Sequence, residues 1–370
     1  MQGVKEKGQE KARVCSANIS QKEMQAIIFR AHGGLDRLEL AEMTVPAIRP
    51  TEVLVEVRAC ALNHLDLWTL QGLPGLKIEM PHILGNDIAG IITEVGSEVG
   101  SVRIGDPVIL APGLSCGHCA QCLSGQDNLC PAYDIIGHRS NGGLAQYVKI
   151  AGTNAFPLPN SLSFTEAAAV PLTFLTAWHM LITRANLQPG EDVLILAAGS
   201  GVGSAAIQIA KLIGARVIST AGNKEKLDLA RSLGADEVIN HYKEKVSEVV
   251  KRLTNRKGVE VVVEHVGSAT WDESTRSLAT NGRLVTCGAT TGYEARIDLR
   301  HLFYRQLTLC GSMMGSKAEL LRVLKFFKDG KLRPVVDKVF PLEKAHEAFT
   351  RMQSSQHFGK IVVEASTGRK

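Results

Sequence analysis

A glycine-rich turn between an apolar strand pattern and a helix pattern constrains the fold of this chain more than any other feature. The segment reads VLILAAGSGVGSAAIQIAKLIGARVIST, with Asp192–Leu196 as the strand and Val202–Ile213 as the helix. Glycines let the backbone approach a pyrophosphate, and the helix N-terminus adds amide donors and a favourable dipole. Counted back from Gly203, the strict G-x-G-x-x-G motif is broken by Ala198 and Ser200. The strand–turn–helix context still predicts a dinucleotide site rather than a turn without a ligand.

The pattern around this turn predicts two kinds of domain in a chain of 370 residues, which exceeds what one hydrophobic core usually supports. From about Asn186 onward, short apolar strands alternate with helices of about ten residues, as in a doubly wound parallel sheet. Residues 24–150 instead read mostly as short strands separated by Pro and Gly, which indicates a barrel-like β domain.

The end of the second strand predicts the preferred cofactor. A site specific for NAD carries a carboxylate there, about 20 residues past the glycines, to hold the ribose 2′-hydroxyl. This chain has Ala221 at that position, with Lys224 and Lys226 close behind. We therefore expect NADP(H) to be preferred over NAD(H), because the lysines suit a 2′-phosphate. The alternative is that both lysines are solvated and that the chain does not discriminate.

A second motif predicts a structural metal site. Four cysteines form the pattern C-x2-C-x2-C-x7-C, at Cys116, Cys119, Cys122 and Cys130. Four thiolates satisfy tetrahedral zinc and leave no open position for a reacting group. An iron–sulfur cluster is a weaker alternative, because the ferredoxin pattern has three residues before its last cysteine, and a disulfide pair does not suit a reducing compartment.

Composition narrows the possible partners and the location. The net charge of +5 comes from dispersed lysines and arginines, so nucleic-acid binding is not expected. The longest apolar region, around Val193–Ile213, is interrupted by glycines, serines and a lysine, so a membrane span is not expected either. Residues 1–23 are polar and lack the apolar core of a secretory signal, and we expect a disordered extension. These features predict a cytoplasmic protein that acts on a small molecule.

With these motifs in place, the chain resembles the medium-chain dehydrogenase/reductase superfamily from Met24 to Ala365. The resemblance is carried by GNDIAGIITEVGSEV, GGLAQYV, AAAVPLTFLTAW, LGADEVIN, VEHVG and GKIVV, and by the cysteine lobe. It implies an α/β protein with a GroES-like β-barrel catalytic domain, residues 24–173 and 314–370, and a Rossmann doubly wound parallel-sheet domain, residues 174–313. The structural zinc lobe then covers about residues 113–133.

The zinc-containing alcohol dehydrogenases of this superfamily carry catalytic-metal ligands that are replaced here. Asn63, Asn86 and Leu172 stand at the three ligand positions, and neutral amides are poor zinc ligands. The proton-relaying hydroxyl falls on Leu65. The stretch from Asn63 to Trp68 instead resembles the zinc-free quinone oxidoreductases, whose motif is Asn-x-x-Asp-x-Tyr, with tryptophan in place of the tyrosine.

The resemblance implies a set of site residues and three possible functions. The main expectation is a reductase of activated double bonds, quinones or carbonyls without catalytic zinc. The alternatives are an alcohol or aldehyde dehydrogenase with a displaced metal, built from His64, Asp66, Asp87 or His82, and a non-catalytic NADPH-binding protein. A homodimer or homotetramer is expected, with the apolar segment Gln306–Cys310 at the subunit contact. The candidate catalytic residues are Asn63, His64 and Asp66, and the candidate cofactor-binding residues are Thr176, Gly199, Ser200, Gly201, Val202, Gly203, Thr220, Ala221, Asn223, Lys226, His241, Val266, Gly288 and Lys360.

Overall fold

The computed structural model describes residues 22–365. Of the predicted disordered extension, residues 1–21 lie outside this described part, and Glu23 already belongs to the first strand. The strands are β1 (Glu23–Phe29), β2 (Glu39–Thr44), β3 (Glu52–Ala61), β4 (His82–Ile83), β5 (Asp87–Val95), β6 (Pro107–Leu110), β7 (Gly113–Leu114), β8 (Asp134–Ile135), β9 (Tyr147–Ala151), β10 (Ala155–Pro157), β11 (Asp192–Ile195), β12 (Arg216–Ala221), β13 (Glu237–Asn240), β14 (Val259–Glu264), β15 (Leu278–Thr286), β16 (Thr308–Gly311), β17 (Val336–Pro341) and β18 (Lys360–Glu364).

Helices connect and cover these strands. The α-helices are α1 (His64–Gln71), α2 (Ala120–Leu123), α3 (Phe164–Ala168), α4 (Pro171–Trp178), α5 (Gly201–Ile213), α6 (Lys224–Ser232), α7 (Val246–Leu253), α8 (Trp271–Ser277), α9 (Leu299–Tyr304), α10 (Lys317–Lys328) and α11 (Ala345–Gln353). A π-helical segment, His179–Arg184, continues α4 directly. Short 3-10 turns occur at Leu35–Arg37, Asp127–Leu129, Gly152–Asn154 and Leu342–Lys344. None of the helices in residues 22–365 has the length and apolar character needed to cross a membrane.

The predicted doubly wound sheet is confirmed. Six parallel strands lie in the order β13-β12-β11-β14-β15-β16, so the chain reverses its direction of travel at β11. The runs Val193–Ile195 and Val261–Val263 are fully buried, as expected for central strands that are covered on both faces. In such sheets the ligand crevice lies at the carboxyl ends of the strands where the order reverses, which is where the glycine turn follows β11.

The predicted β-rich part is also confirmed. A seven-stranded sheet has the order β10-β6-β5-β3-β18-β17, with β9 paired to β3, and β1 pairs with β2 and β4. Strand β18 therefore brings the C-terminal part of the chain against β3 near its N-terminal part. A separate apolar core packs between these strands and α11.

Some predicted element bounds differ from the structure. The expectation of mostly strands up to residue 150 missed α1, which carries the predicted catalytic residues. The predicted domain junction at residues 173 and 174 falls inside α4, whereas the one at 313 and 314 falls in the loop between β16 and α10.

Candidate active site

The glycine turn has a shape that side chains would block. A Cβ atom at Gly203 would lie 2.3 Å from the carbonyl oxygen of Ala197, and one at Gly201 would lie 2.6 Å from Cγ2 of Thr173. The hydroxyl of Ser200 accepts a hydrogen bond of 2.8 Å from the backbone N–H of Gly203 and thereby caps α5. The turn after β11 is thus fixed with its backbone closely packed at the start of a helix, as phosphate binding requires.

At the end of β12, two of the predicted cofactor-binding residues hold the backbone in place. Thr220 accepts a hydrogen bond of 3.1 Å from the backbone N–H of Ala197, which ties β12 to the glycine turn. Asn223 caps α6 by accepting a hydrogen bond of 2.9 Å from the backbone N–H of Lys226. Ala221 is the last residue of β12, so no carboxylate projects from the position that would hold a ribose 2′-hydroxyl.

Lys226 and His241 both lie near this strand end. The Lys226 ammonium donates a hydrogen bond of 2.6 Å to the carbonyl oxygen of Ser355, and its stem lies against Gly199. His241 is exposed and packs edge-on against Tyr242, with 4.5 Å between the ring centroids. Partial desolvation and the nearby Lys226 charge lower the pKa of His241.

The remaining predicted cofactor residues follow the ends of β14 and β15 or belong to α4 and α5. Gly288 is beside His265, with 3.1 Å between the carbonyl oxygen of His265 and a Cβ built on Gly288. The backbone N–H of Val266 donates a hydrogen bond of 2.7 Å to Glu264 at the end of β14. Thr176 is buried in α4, and its hydroxyl contacts the sulfur of Met314 at 3.7 Å. Val202 is half-buried and packs on the core between α5 and α4.

Two of the three positions that correspond to catalytic-metal ligands bond to one buried carboxylate, Asp87. The side-chain amide of Asn63 donates to Asp87 Oδ2 at 3.0 Å, and the backbone N–H of Leu172 donates to Asp87 Oδ1 at 2.7 Å. Asn86 precedes Asp87 in the chain and donates its amide to the carbonyl oxygen of Ile136 at 2.6 Å. Asp87 and Asn86 are both fully closed to solvent.

The charge that balances this carboxylate is the ammonium of Lys360. It donates hydrogen bonds to Asp87 Oδ2 at 2.9 Å, Asn63 Oδ1 at 2.5 Å and the carbonyl oxygen of Leu62 at 2.7 Å. An ammonium has three protons, so these three acceptors use all of them. The stem of Lys360 lies against Gly201, while its charged end points away into the Asn63–Asp87 network.

The predicted catalytic trio therefore divides into two braced residues and one accessible residue. Both amide protons of Asn63 are directed at protein acceptors, Asp87 and the carbonyl oxygen of Ala61. Asp66 accepts backbone N–H groups from Asn63 at 2.7 Å and from Gly85 at 2.9 Å, and burial raises its pKa to about 7. Asp66 therefore fixes the backbone at the start of α1, and the contacts of Asn63 favour a bracing role over donation to a substrate.

His64 is the member of the trio that solvent reaches. It is the first residue of α1, beside the Lys360 network, and its ring centroid lies 6.4 Å from that of Trp68. The surrounding protein and the charge of Lys360 lower its pKa, so the imidazole is neutral near pH 7. A neutral imidazole still has one N–H to donate and one nitrogen to accept.

The four cysteines of the lobe are close enough together to bind one metal ion. The ligand atoms of Cys116, Cys119, Cys122 and Cys130 all lie within 4.8 Å of one another, and no other such group of three or more His, Cys, Asp or Glu side chains occurs in residues 22–365. The Sγ atoms of Cys119 and Cys122 are 3.5 Å apart, and those of Cys116 and Cys122 are 3.9 Å apart. A tetrahedral site with Zn–S bonds of about 2.3 Å needs sulfurs about 3.8 Å apart. The donors and their spacing therefore suit one zinc ion with four sulfur ligands.

The lobe is anchored to the start of α10. The backbone N–H of Lys317 donates to Asp127 Oδ1 at 2.9 Å, and Asp127 lies between the third and fourth cysteines. The Lys317 ammonium reaches Ser115 at 3.3 Å and Asn154 at 3.2 Å. Asn154 in turn donates its amide to the carbonyl oxygens of Ala111 and Gly113, at 2.8 and 2.7 Å. A folded lobe thus positions the helix that follows the parallel sheet.

Sequence reasoning missed several residues that the fold brings to this site. Asp87 entered only as a possible ligand of a displaced metal, although it organises the network with Lys360. His265 lies within the motif VEHVG, and its ring contacts Ser200, with 2.9 Å between Nε2 and Oγ. His357 belongs to a loop with no motif at all, so no sequence signal could have found it.

A Rossmann sheet with a glycine turn, joined to a β-rich domain with a four-cysteine lobe, defines a dinucleotide-binding oxidoreductase of the zinc-type dehydrogenase class. Two family models match the chain: the alcohol dehydrogenase GroES-like domain over residues 49–160 and the zinc-binding dehydrogenase over residues 201–329. Together with the relatives described next, they show that the chain belongs to the medium-chain dehydrogenase/reductase superfamily.

Its relatives include both branches that the motifs resemble. An alcohol dehydrogenase of Geobacillus stearothermophilus is 34% identical over 88% of this chain and 96% of its own. The quinone oxidoreductase-like protein 2 of Bos taurus is 30% identical over 88% of each chain. A crystal structure of an NAD-dependent alcohol dehydrogenase has a TM-score of 0.90 and 47% identity, and the match covers 93% of this chain and all of that one.

Proposed function

We propose that this oxidoreductase is an NADP(H)-dependent reductase of activated double bonds, quinones or carbonyls that uses no catalytic zinc. One observation carries the proposal: Asn63, at one of the positions of the catalytic-metal ligands, is held in a closed network with Lys360 and Asp87. Oxidising an alcohol requires a proton to leave a group of very high pKa, which a zinc Lewis acid makes easy. Substrates that already accept hydride and leave a stabilised anion do not need that assistance.

The Lys360 ammonium gives the site a fixed positive charge without a metal. Because its three protons are bound within the protein, it acts on a substrate through its electrostatic field rather than by donating a hydrogen bond. Its partner Asp87 offsets part of that field, so the charge is held in place at a limited cost of burial. A negative oxygen that develops on an enone or quinone next to this network would be stabilised.

A bound nicotinamide dinucleotide supplies the hydride, and the protein supplies position and hydrogen bonds. The glycine turn and the N-terminus of α5 would hold the pyrophosphate, with Ser200 fixing the turn. His64 has an N–H that can donate a hydrogen bond to the reduced oxygen, because a neutral imidazole keeps one N–H, and solvent, which reaches this ring, can supply the proton. Asp66 holds the first turn of α1, and therefore the His64 backbone, in place.

The preference for NADP(H) rests on the end of β12. Ala221 leaves no carboxylate to repel a 2′-phosphate, and Lys226 and His241 lie beside this strand end. The NAD-dependent alcohol dehydrogenase of the crystal structure described above shows that the same fold serves the other cofactor. Cofactor choice in this chain is therefore a property of these few side chains and not of the fold.

We further propose that the chain is cytoplasmic and forms a homodimer or homotetramer. Strand β16 is at the edge of the parallel sheet, where unpaired N–H and C=O groups favour pairing with a second strand. Large apolar side chains are exposed on either side of β16 in the chain, at Phe303, Tyr304 and Met313. A two-fold contact along this edge would cover both features.

The deciding experiment measures oxidation of NADPH and of NADH by the full chain with a panel of enones, quinones, enoyl thioesters and aldehydes. We expect turnover with one of the first three classes, faster with NADPH, and unchanged after treatment with a chelator that leaves the fold intact. Turnover confined to alcohols and aldehydes, and abolished by the chelator, would instead support a displaced catalytic metal. No turnover with any acceptor, despite cofactor binding, would support a non-catalytic role.

A further inference from the structure

The loop between α11 and β18, residues 354–359, lies on the glycine turn, and we call it the strap. The backbone N–H of Gly359 donates a hydrogen bond of 2.9 Å to the carbonyl oxygen of Gly199, the first glycine of the turn. A Cβ atom built on Gly199 would lie 3.3 Å from the Phe358 ring and 3.5 Å from the carbonyl oxygen of His357. The strap therefore connects the seven-stranded sheet, which contains β18, to the turn that follows β11 of the parallel sheet.

Lys226, on α6, is a second tie between these two parts of the molecule. Its ammonium donates a hydrogen bond of 2.6 Å to the carbonyl oxygen of Ser355 in the strap, and its Cδ atom lies 3.2 Å from a Cβ built on Gly199. The half-buried lysine side chain thus lies beside both the turn and the strap. An ammonium has three protons, and Ser355 is the one hydrogen-bond acceptor that this group has among residues 22–365. Two protons are therefore left for a further acceptor.

The two halves of the strap are held unequally. In the second half, the backbone N–H of Phe358 donates to Asp337 Oδ1 at 3.1 Å, and Asp337 is fixed by a two-point ion pair with Arg351, at 2.5 and 2.9 Å. The Phe358 ring is buried in the core. The first half, residues 354–356, is exposed, and in the described part of the chain its hydrogen bonds go back to α11, except for the one from Lys226. Lys226 therefore holds the half of the strap that its own sheet constrains less.

The strap leads directly into Lys360, so its position bears on the proposed site of reaction. Gly359 and Lys360 are adjacent, and the backbone N–H of Lys360 donates to the carbonyl oxygen of Val335 at 2.8 Å. The Lys360 ammonium donates to Asp87 Oδ2 at 2.9 Å and to Asn63 Oδ1 at 2.5 Å. A strap that is held in both halves thus restrains the backbone that carries this buried network.

We infer that Lys226 is a positioning residue, which couples a 2′-phosphate at the end of β12 to the strap and, through the strap, to Lys360. The inference rests on the proposed NADP(H) site and adds to it a link between that site and the ion pair of Lys360 with Asp87. In this arrangement the phosphate accepts the two remaining protons of the ammonium, while the Ser355 carbonyl keeps the third. An anion that fixes a half-buried lysine removes much of its rotamer freedom, so the bond to the strap is made for more of the time.

Coupling of this kind has a definite sign and size. By linkage, the phosphate stabilises the closed strap by the same factor by which the closed strap strengthens phosphate binding. Ion pairs at partly exposed positions change an equilibrium by a modest factor, roughly two- to fivefold, which sets the expected size. If the phosphate instead drew the ammonium away from Ser355, the strap would lose its tie to α6 and the sign would be reversed.

The test measures hydrogen exchange of the strap amides by mass spectrometry on the full chain. Adenosine 2′,5′-bisphosphate and adenosine 5′-monophosphate are each added at saturating concentration, because they differ only in the 2′-phosphate. The variant Lys226→Met removes the ammonium and keeps an apolar stem. Lys224→Met, at an exposed lysine in the first turn of the same helix, is the matched control, because it removes a nearby charge without altering a bond of the strap. The amides of the cysteine lobe serve as an internal reference.

In the wild type and in Lys224→Met, we expect strap exchange to be roughly two- to fivefold slower with the bisphosphate than with the monophosphate, and exchange in the lobe to be unchanged. In Lys226→Met, strap exchange should be faster without a nucleotide, and the two nucleotides should have the same effect. A purely structural lysine would alter exchange equally with either nucleotide. If Lys226→Met does not fold, the comparison of the two nucleotides in the wild type decides.

Three results would overturn the inference. They are equal strap exchange with the two nucleotides in the wild type, faster exchange with the bisphosphate, and a slowing by the bisphosphate that persists in Lys226→Met. Failure of the proposed cofactor preference is seen separately by calorimetry, since the wild type would then bind the two nucleotides with equal affinity.

Discussion

The ammonium of Lys360 lies 2.9 Å from a carboxylate oxygen of Asp87, and both side chains are almost closed to solvent. The two residues are 273 positions apart in the chain. Strand β18 carries Lys360 to the edge of β3, and β5 begins with Asp87 on the opposite side of β3. One buried ion pair thus joins β18 to the start of β5, beside Asn63, which stands at a position that corresponds to a catalytic-metal ligand.

Removing one partner of this pair should be costly. Lys360→Met leaves the Asp87 carboxylate buried without a countercharge, and we expect the free energy of unfolding to fall by about 3–5 kcal/mol. The double variant Lys360→Met with Asp87→Asn should lose clearly less than the sum of the two single variants, because it buries no charge. Denaturant unfolding of the four proteins measures this. Additive losses would show that the two charges do not stabilise each other.

Asp66 should make stability depend on pH in the opposite direction from an ordinary surface carboxylate. Its pKa of about 7 in the folded chain is above the value of about 3.9 in an unfolded chain. Between these pH values the unfolded chain has released the proton and the folded chain retains it, so folding becomes less favourable as the pH rises from 4 to 7. Above pH 7 the contribution is constant.

The comparison of the wild type with Asp66→Asn isolates this contribution. The unfolding free energy of the wild type minus that of the variant should decrease between pH 5 and pH 7.5, by at most about 1.4 kcal/mol per pH unit. Asp329→Asn, at an exposed carboxylate after α10, should show no such trend. A difference that stays constant over this range would mean that Asp66 is ionised throughout.

Cofactor preference can be changed at the end of β12. Lys226→Ala should weaken NADPH binding more than NADH binding, because a charge-assisted contact to the 2′-phosphate is lost. Ala221→Asp should act more strongly, since the new carboxylate repels that phosphate and can bond the ribose hydroxyls. Dissociation constants from the quenching of protein fluorescence measure both effects, with Lys328→Ala as a surface control. Equal affinity of the wild type for both cofactors would remove the basis of the proposed preference.

Lys226→Ala also removes the hydrogen bond to the carbonyl oxygen of Ser355, which holds the loop before β18. A variant that keeps an apolar stem, Lys226→Met, loses the same hydrogen bond but still covers the loop, so comparing the two variants isolates the contribution of that cover. If the phosphate contact matters, both variants lose the same discrimination between NADPH and NADH. If only the loop matters, the affinities for both cofactors fall together.

Self-association should depend on the surface beside β16. Phe303→Glu and Met313→Glu place charges on exposed apolar positions on either side of this edge strand, and we expect each to shift the protein towards monomer. Ile104→Glu, at an equally exposed apolar residue in the β-rich domain, should have no effect. Sedimentation velocity at micromolar concentration distinguishes the species. A wild type that is already monomeric there would contradict the proposed contact.

The sequence predicted the parts of the molecule whose geometry depends on a few neighbouring residues. The glycine turn and the cysteine lobe each occupy a short segment, in which spacing fixes the geometry, so the turn after β11 and the clustered thiolates were found. Helix α1 was missed because it has only eight residues and its apolar side chains form no stripe along one face. Its Asn63 and Asp66 still matched a motif, which located the site without revealing its structure.

The contacts that organise the site could not be predicted because they span most of the chain. No periodicity or spacing relates Lys360 to Asp87, and GKIVV indicated only cofactor binding. The partners of Asn63 also decide its role, since the same amide could donate to a substrate or to Asp87. Only the pairing of β18 with β3 brings these groups together. The parallel sheet, in contrast, was predictable, because a chain in which strands and helices alternate can adopt only a few sheet topologies.

The cysteine lobe should hold one zinc ion per chain, and its loss should destabilise more than the lobe itself. Four thiolates bind zinc as a cage that the unfolded chain lacks, so the binding free energy contributes to folding. Loss of the lobe should also destabilise α10, because Asp127, which belongs to the lobe, accepts a hydrogen bond from the first backbone N–H of that helix. We therefore expect Cys119→Ser to lower the melting temperature, and Asp127→Asn to reproduce a part of that loss while zinc stays bound.

Elemental analysis and chelation decide between this structural zinc and a second, catalytic metal. Cys310→Ser is the matched control, because Cys310 is a partly buried thiol outside the lobe. It should keep one zinc per chain and the melting temperature of the wild type to within a few degrees. Cys119→Ser should lose the zinc, and whatever folded protein survives should have nearly unchanged KM values, since within residues 22–365 the hydrogen bonds of Lys360 and of the glycine turn go to residues outside the lobe. Two metals per chain, or reductase activity that a chelator removes while the fold stays intact, would show that the Asn63–Asp87 region binds a metal after all.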